Sequence, residues 1–171
     1  MSNTNIHVER LKRLSCRSSE AWQGGFVPLP AYVSNDEGKP YRPIALMWAS
    51  SRTGLAHVED IYEPGKESFA DTLAALTAFA EDEELAGYCP GRLEVKDPDL
   101  AEWLQTTLAE TDIEVTCREQ LAALEEAADY IVDGVREEQQ PPGPLDGEGV
   151  TLERFEAFAD ACRLFYEAAP W

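Results

Sequence analysis

Residues 44–49 read Ile44-Ala45-Leu46-Met47-Trp48-Ala49, with no polar side chain among them. A run of that length has the dimensions of a strand. With no face suited to water, it belongs inside a sheet that is covered on both sides. Pro43 leads into it, and Ser51-Arg52-Thr53-Gly54 supplies turn chemistry after it. Residues 55–62 then return as a second strand rich in β-branched and aromatic side chains. The two form an antiparallel hairpin from which the remaining elements can be ordered.

After Pro64-Gly65 the apolar period becomes helical. Ser68 is the expected N-cap with Asp71 at the third helical position, and Phe69, Leu73, Leu76 and Ala80 share one face. Leu93 and Val95 alternate with Glu94 and Lys96, the pattern of a strand over 92–96. Asp97-Pro98 puts a capping carboxylate before a proline at the first helical position, and Leu100, Trp103, Leu104 and Leu108 make the buried stripe. A short strand is expected at 113–115. Thr116-Cys117-Arg118-Glu119 has capping-box spacing ahead of a helix carrying Leu121, Leu124, Ala128, Ile131, Val132 and Val135.

The fold class that follows is α/β: a mixed sheet of about four or five strands, built from the hairpin followed by αβαβα, with parallel pairing of the later strands. The all-apolar strand is expected at its centre. An extra C-terminal helix follows a Pro-rich linker. One domain is expected from 171 residues. Its parts are an N-terminal helix or arm over 1–21, an α/β core over 22–138, a Pro/Gly-rich linker over 139–149, and a helix over 150–171 that packs on the core or on a partner. Within the first part, Val8, Leu11 and Leu14 predict a helix over 8–17. Residues 22–30 hold Gly24, Gly25, Pro28 and Pro30 and read as an arm lying over the core.

Charge narrows the partners. The chain has 33 Asp and Glu against 14 Lys and Arg, a formal net charge of -19. Nucleic acid and anionic membranes are repelled over about 8 Å at physiological salt. Arg10, Lys12, Arg13 and Arg17 sit beside Glu9 and Glu20 and read as a solvated helix face. No long apolar window and no apolar N-terminal run are present, so a cytoplasmic protein is expected. The acidity fits adaptation to high salt, solubility alone, or a surface made for a basic protein partner.

Motifs for chemistry are few. Cys16, Cys89, Cys117 and Cys162 have no metal-ligand spacing, and His7 and His57 are too isolated to found a zinc site. Cys117, placed where a helix is expected to open, is the one candidate reactive cysteine. Glu114 and Glu119 flank it, which favours an idle thiol. Ser50 and Ser51 read as turn residues. No GxGxxG or Walker A loop is present, so no cofactor is expected. Trp22, Trp48, Trp103 and Trp171 read as core and staple residues rather than a stacking platform.

Two resemblances follow. Tyr41-Arg42-Pro43, the turn with Thr53-Gly54, the Pro90-Gly91-Arg92 step into a strand ending at Asp97, and the closing Ala168-Ala169-Pro170-Trp171 resemble an uncharacterised prokaryotic family without known activity. The similarity runs from about Trp22 to the C-terminus. In those relatives the Pro-Trp pair leads into a further domain, so the resemblance implies a shortened member or a fragment. The second is of topology: a hairpin followed by αβαβα resembles the ribonuclease H-like fold of integrases and transposases. Enzymes of that fold carry an Asp on the first strand, another at the end of the fourth, and an acid on a late helix, which together hold two divalent metals. The resemblance implies Asp97 for the second position and Glu125 or Asp129 for the third, with Mg²⁺ as cofactor only on that reading. The first strand, taken as 44–50, has no carboxylate. Glu59 and Asp60 on the hairpin's other arm lie about 17 Å from its end at about 3.4 Å per residue.

The expected function is therefore a non-catalytic protein-interaction or accessory module with an acidic surface. It has no catalytic, cofactor or metal residues beyond the weak candidates Asp97, Asp129, Glu125 and Cys117. A basic protein partner fits it, and the C-terminal helix offers a route to a homo-oligomer. The alternatives are a divergent or degenerate ribonuclease H-like metal-dependent nuclease and a salt-adapted housekeeping domain.

Overall fold

The computed structural model describes residues 3–35, 37–138 and 151–168. In chain order its elements are α1 (Asn3–Leu11), β1 (Cys16–Pro28), β2 (Val33–Ser34), β3 (Pro40–Tyr41), β4 (Ile44–Ser50), β5 (Ala56–Tyr62), α2 (Phe69–Glu81), β6 (Cys89–Val95), α3 (Pro98–Thr107), β7 (Glu114–Cys117), α4 (Ala122–Glu138) and α5 (Leu152–Ala168). They divide into two units, Met1–Val132 and Asp133–Trp171.

Five strands form one mixed sheet in the order β5-β4-β1-β6-β7, and β2 and β3 make a separate small ribbon. β1 pairs antiparallel with β4, and β4 with β5. β6 runs parallel to β1 on its other side, and β7 parallel to β6. Three antiparallel strands continued by two parallel ones, with helices in the crossovers, is the ribonuclease H-like arrangement that the topology implied.

The strand at the centre differs from the expected one. Residues 22–28 are not an arm: they belong to β1, and the all-apolar β4 stands one place out. The glycines that suggested a loop are there for close packing instead. Gly24 lies abreast of Trp48, and a Cβ on residue 24 would sit 2.1 Å from the indole Cε3. Glycine in a strand often marks such an approach. Pro28 closes the strand, where its missing N–H costs no interior ladder bond.

The same pairing shortens the first helix. The expected helix over 8–17 is observed as Asn3–Leu11, because Cys16 and Arg17 pair with Cys89 and Pro90 at the start of β6. At the other end of the sheet, β7 runs through Cys117 against Val95. The capping box expected at Thr116 and Glu119 is therefore absent, and α4 begins at Ala122. Ser68 does stand at the N-cap of α2 but makes no side-chain cap bond. The cap read at Asp97 is present: its Oδ1 accepts from the N–H of Asp99 at 2.8 Å, ahead of Pro98.

β4 is apolar throughout because both faces are covered. Leu46 and Trp48 join Trp22, Leu73, Leu76, Phe79, Leu93 and Leu104 on one side. Ala45, Met47 and Ala49 meet Leu121, Leu124, Ala128 and Val132 on the other. The Trp48 indole N–H, which would be costly to bury alone, donates to the Thr72 carbonyl at 3.0 Å. Trp22 and Trp48 are fully buried, whereas Trp103 is half-buried against Phe69. Trp171 and the linker over 139–149 lie outside the described residues.

α5 is described by itself. Its first turn is held by Thr151, whose carbonyl accepts from the Phe155 N–H and whose hydroxyl accepts from the Arg154 N–H. None of its residues is buried. Among the described residues no helix is long and apolar enough to cross a membrane.

Candidate functional site

The first strand of the core is β1, so the expectation of a carboxylate-free first strand needs revision. β1 carries Glu20. Its place in the register decides what it does. Gly24 stands abreast of Val95, so Asp97, two residues further on, reaches the level of Phe26. Glu20 lies six positions back from Phe26, about 20 Å at 3.3 Å per residue. It belongs to the opposite end of the sheet.

There its carboxylate is buried and fully used. Ser50 Oγ donates to Glu20 Oε1 at 2.5 Å, and Arg52 Nε donates to the other oxygen. Ser50 Oγ accepts in turn from the Thr53 N–H at 3.1 Å. Burial pushes the Glu20 carboxyl up, but hydrogen bonds from Ser50 and Arg52 outweigh it and hold the group below its usual value. The cluster pins the turn between β4 and β5 to β1, and Ser50 acts in it as a strap, which is the turn role its sequence context suggested.

At the other end, where β1 and β6 finish and α3 and α4 begin, a cavity of about 260 Å³ opens. Asp97 and Glu125 both line it, together with Lys96, Phe26, Leu100 and Leu121. The structure thus brings together two of the four candidate residues. Asp129 is exposed one turn further along α4 and does not line the cavity. Cys117 is the last residue of β7, exposed, with its thiol 3.5 Å from the Lys96 carbonyl. Four residues separate it from α4, so it does not open that helix.

The β1 residues lining the cavity are Gly24, Phe26, Val27 and Pro28, none of them an acid. Gln23 is nearly buried and bridges three elements. Its Nε2 donates to Glu94 Oε2 on β6 at 2.9 Å, and its Oε1 accepts from the N–H groups of Ala123 and Leu124 at 2.8 and 3.4 Å. It therefore caps α4 from the middle of the sheet. Gly24 is closed on by the Trp48 ring, and Gly25, at φ 128°, lies in a conformation that L side chains rarely adopt. Asp97 spends one oxygen on the α3 cap. Among the described residues, no three His, Cys, Asp or Glu side chains gather closely enough to hold a metal ion. The charged side chains lining the cavity are Lys96, Asp97 and Glu125 in an apolar setting, and two carboxylates beside a lysine do not fit a two-metal centre.

Glu20 and Gln23 were missed in the sequence. Both act through partners far along the chain, and neither sits in a motif. A polar residue beside the buried Trp22 was the only hint.

Residues 7–132 match the family described as a domain of unknown function, DUF6930. The chain belongs to this family. The match starts before Trp22 and stops short of the Pro170-Trp171 pair on which part of the earlier resemblance rested. No curated protein matches the chain. Among solved structures, it is similar to the HTLV-2 integrase catalytic core domain in complex with magnesium. For the trimeric form the identity is 17%, covering 81% of this chain and 80% of that one, with a TM-score of 0.44. For the dimeric form the identity is 16%, with 81% of each chain covered and a TM-score of 0.42. The simian T-cell lymphotropic virus intasome in complex with PP2A regulatory subunit B56 gamma is 13% identical, at a TM-score of 0.43, with 81% of this chain and 46% of that one covered. At these scores the likeness carries no argument about what this member of the family does.

Proposed function

We propose that this domain is a non-catalytic interaction module: a ribonuclease H-like core that presents an acidic surface to a basic protein partner. The observation that carries the reading is the make-up of the cavity end of β1. The β1 residues at the cavity are Gly24, pressed by Trp48, and the apolar Phe26, Val27 and Pro28, while Gln23 beside them is engaged as a helix cap, so β1 offers the cavity no carboxylate. Asp97 is engaged by α3. A net charge of -19 favours a cationic partner and steers it at low salt.

A second reading has one observation in its favour, the shared lining of a single cavity by Asp97 and Glu125. On that reading the domain is a divergent metal-dependent nuclease. Titrating Mg²⁺ and Mn²⁺ into the full chain separates the two, with thermal stability and cleavage of labelled single-stranded and duplex substrates as readouts. The module reading expects neither a metal-dependent melting shift nor cleavage above background. Metal-dependent cleavage that disappears in Asp97→Asn overturns it. Melting in molar KCl tests the salt-adaptation alternative, which requires a clear gain in stability over dilute buffer.

A further inference from the structure

The two faces of the sheet are covered unequally. One carries α1, α2 and α3 over a large cluster. Among the described residues of the unit Met1–Val132, the other face is met by Leu29 and by one helix, α4, with Leu121 just before it and its buried Leu124, Ala128 and Val132 in the same cluster as β4. β5 is the edge strand beyond. Its residues Ala56, Val58 and Ile61 stand abreast of Ala49, Met47 and Ala45, so they face the same way. Ala56 packs against the α4 cluster, but α4 leaves the other two open: Val58 is 37% and Ile61 53% exposed.

Between β5 and α4 lies a groove of about 420 Å³. Leu55, Val58, Ala127 and Ile131 give it an apolar floor, and Tyr130, 80% exposed, stands on its wall beside Glu126. Asp129, three residues along α4 from Glu126, shares that helix flank. An apolar strip of this kind on a soluble surface marks a contact site.

The charge around the groove says what kind of contact. Residues 53–65 hold three carboxylates and residues 119–135 hold five, and neither segment contains a Lys or Arg. A second copy of the chain would bring another net charge of -19 to this rim. A segment combining apolar side chains with Lys or Arg meets both the floor and the rim.

We propose that the groove between β5 and α4 binds a cationic amphipathic helix of a protein partner, with its apolar face on Val58 and Tyr130 and its basic face on Glu126 and Asp129. This rests on the interaction-module reading and gives that module its docking surface and partner chemistry.

The test uses the full chain and two synthetic Leu/Lys peptides of identical composition, roughly 18 residues long or about five helical turns. One has apolar residues at helical period and the other is shuffled. Fluorescence anisotropy at about 0.15 M salt is expected to show the amphipathic peptide binding at least ~10-fold tighter. Val58→Asp is expected to abolish that preference although it adds a negative charge, which a purely electrostatic contact would welcome. Tyr130→Asp, on an exposed helix position, is expected to do the same and decides the matter if Val58→Asp fails to fold. Equal binding of both peptides, unchanged in the two variants, overturns the groove while leaving an acidic interaction surface standing. Absence of peptide binding together with metal-dependent cleavage overturns the module reading as well. A wild-type dimer that Val58→Asp dissociates in sedimentation assigns the groove to a second copy. Peptide binding that appears only after Phe158→Asp in α5 assigns it to this chain's own helix. Either result overturns the proposal.

Discussion

Gly24 on β1 and Trp48 on β4 face each other across an antiparallel pair, and the indole occupies the space that a Cβ of residue 24 would need. Gly24→Ala is therefore expected to destabilise the fold by about 3 kcal/mol, the upper range for overpacking a core. Urea denaturation measures it. Adding Trp48→Leu to the alanine variant is expected to recover part of the loss as a favourable coupling between the two changes. Additive losses would mean that the ring moves aside without strain.

Gln23→Ala removes the acceptor for two helix N–H groups and the donor to Glu94. A loss of roughly 2 kcal/mol is expected, since a cap and a nearly buried hydrogen bond go together. Equilibrium unfolding gives the value. A loss below about 0.5 kcal/mol would show that water replaces the amide at no cost.

Asp97 separates capping from metal binding by substitution alone. Asn caps about as well as Asp, so Asp97→Asn is expected to stay within about 0.5 kcal/mol of wild type, and Asp97→Ala to lose about 1 kcal/mol. A thermal melt of the two variants checks this. A large loss in Asp97→Asn would show that the charge itself does more than hold α3.

The Glu20 cluster has a signature in acid. Its carboxyl is held below its usual value in the fold, so the stabilisation is present above the unfolded value near 4.3 and is lost as pH falls through the folded one. Denaturation midpoints measured down the acid limb are expected to fall less steeply in Glu20→Gln than in wild type. Parallel limbs would rule the contribution out.

The alkaline limb has another contributor. Burial first, and then the bond from its hydroxyl to Asp71, push Tyr62 up to about 12. A raised folded value means that stability is complete below the unfolded value near 10 and declines as pH rises towards 12. Tyr62→Phe is expected to flatten that decline, and tyrosinate absorbance follows the titration directly.

What could be read from the chain were contacts between near neighbours. The hairpin was visible because its turn and both arms are contiguous, and the Asp97 cap because its partner is two residues away. β1 was hidden because its glycines make sense only beside Trp48, a residue of another strand. The Thr116 and Glu119 pattern misled for a related reason. Pairing with β6 holds Cys117 extended, and the cap that α4 needs arrives from Gln23, 100 residues away. The candidate site shows the same divide: Asp97 and Glu125 stand out in the sequence and line one cavity, whereas the Gln23 amide that caps α4 has no local signal.

The Gln23 bridge also ties the fraying of one helix to the sheet's deepest strand. Ordinarily the first turn of a surface helix opens on its own and exchanges its amide protons far faster than the core does. Here the start of α4 cannot let go without stranding the amide of Gln23 inside β1. The Ala123 and Leu124 protons should then exchange with solvent on the clock of whole-domain opening, making a helix terminus behave as part of the most slowly exchanging nucleus.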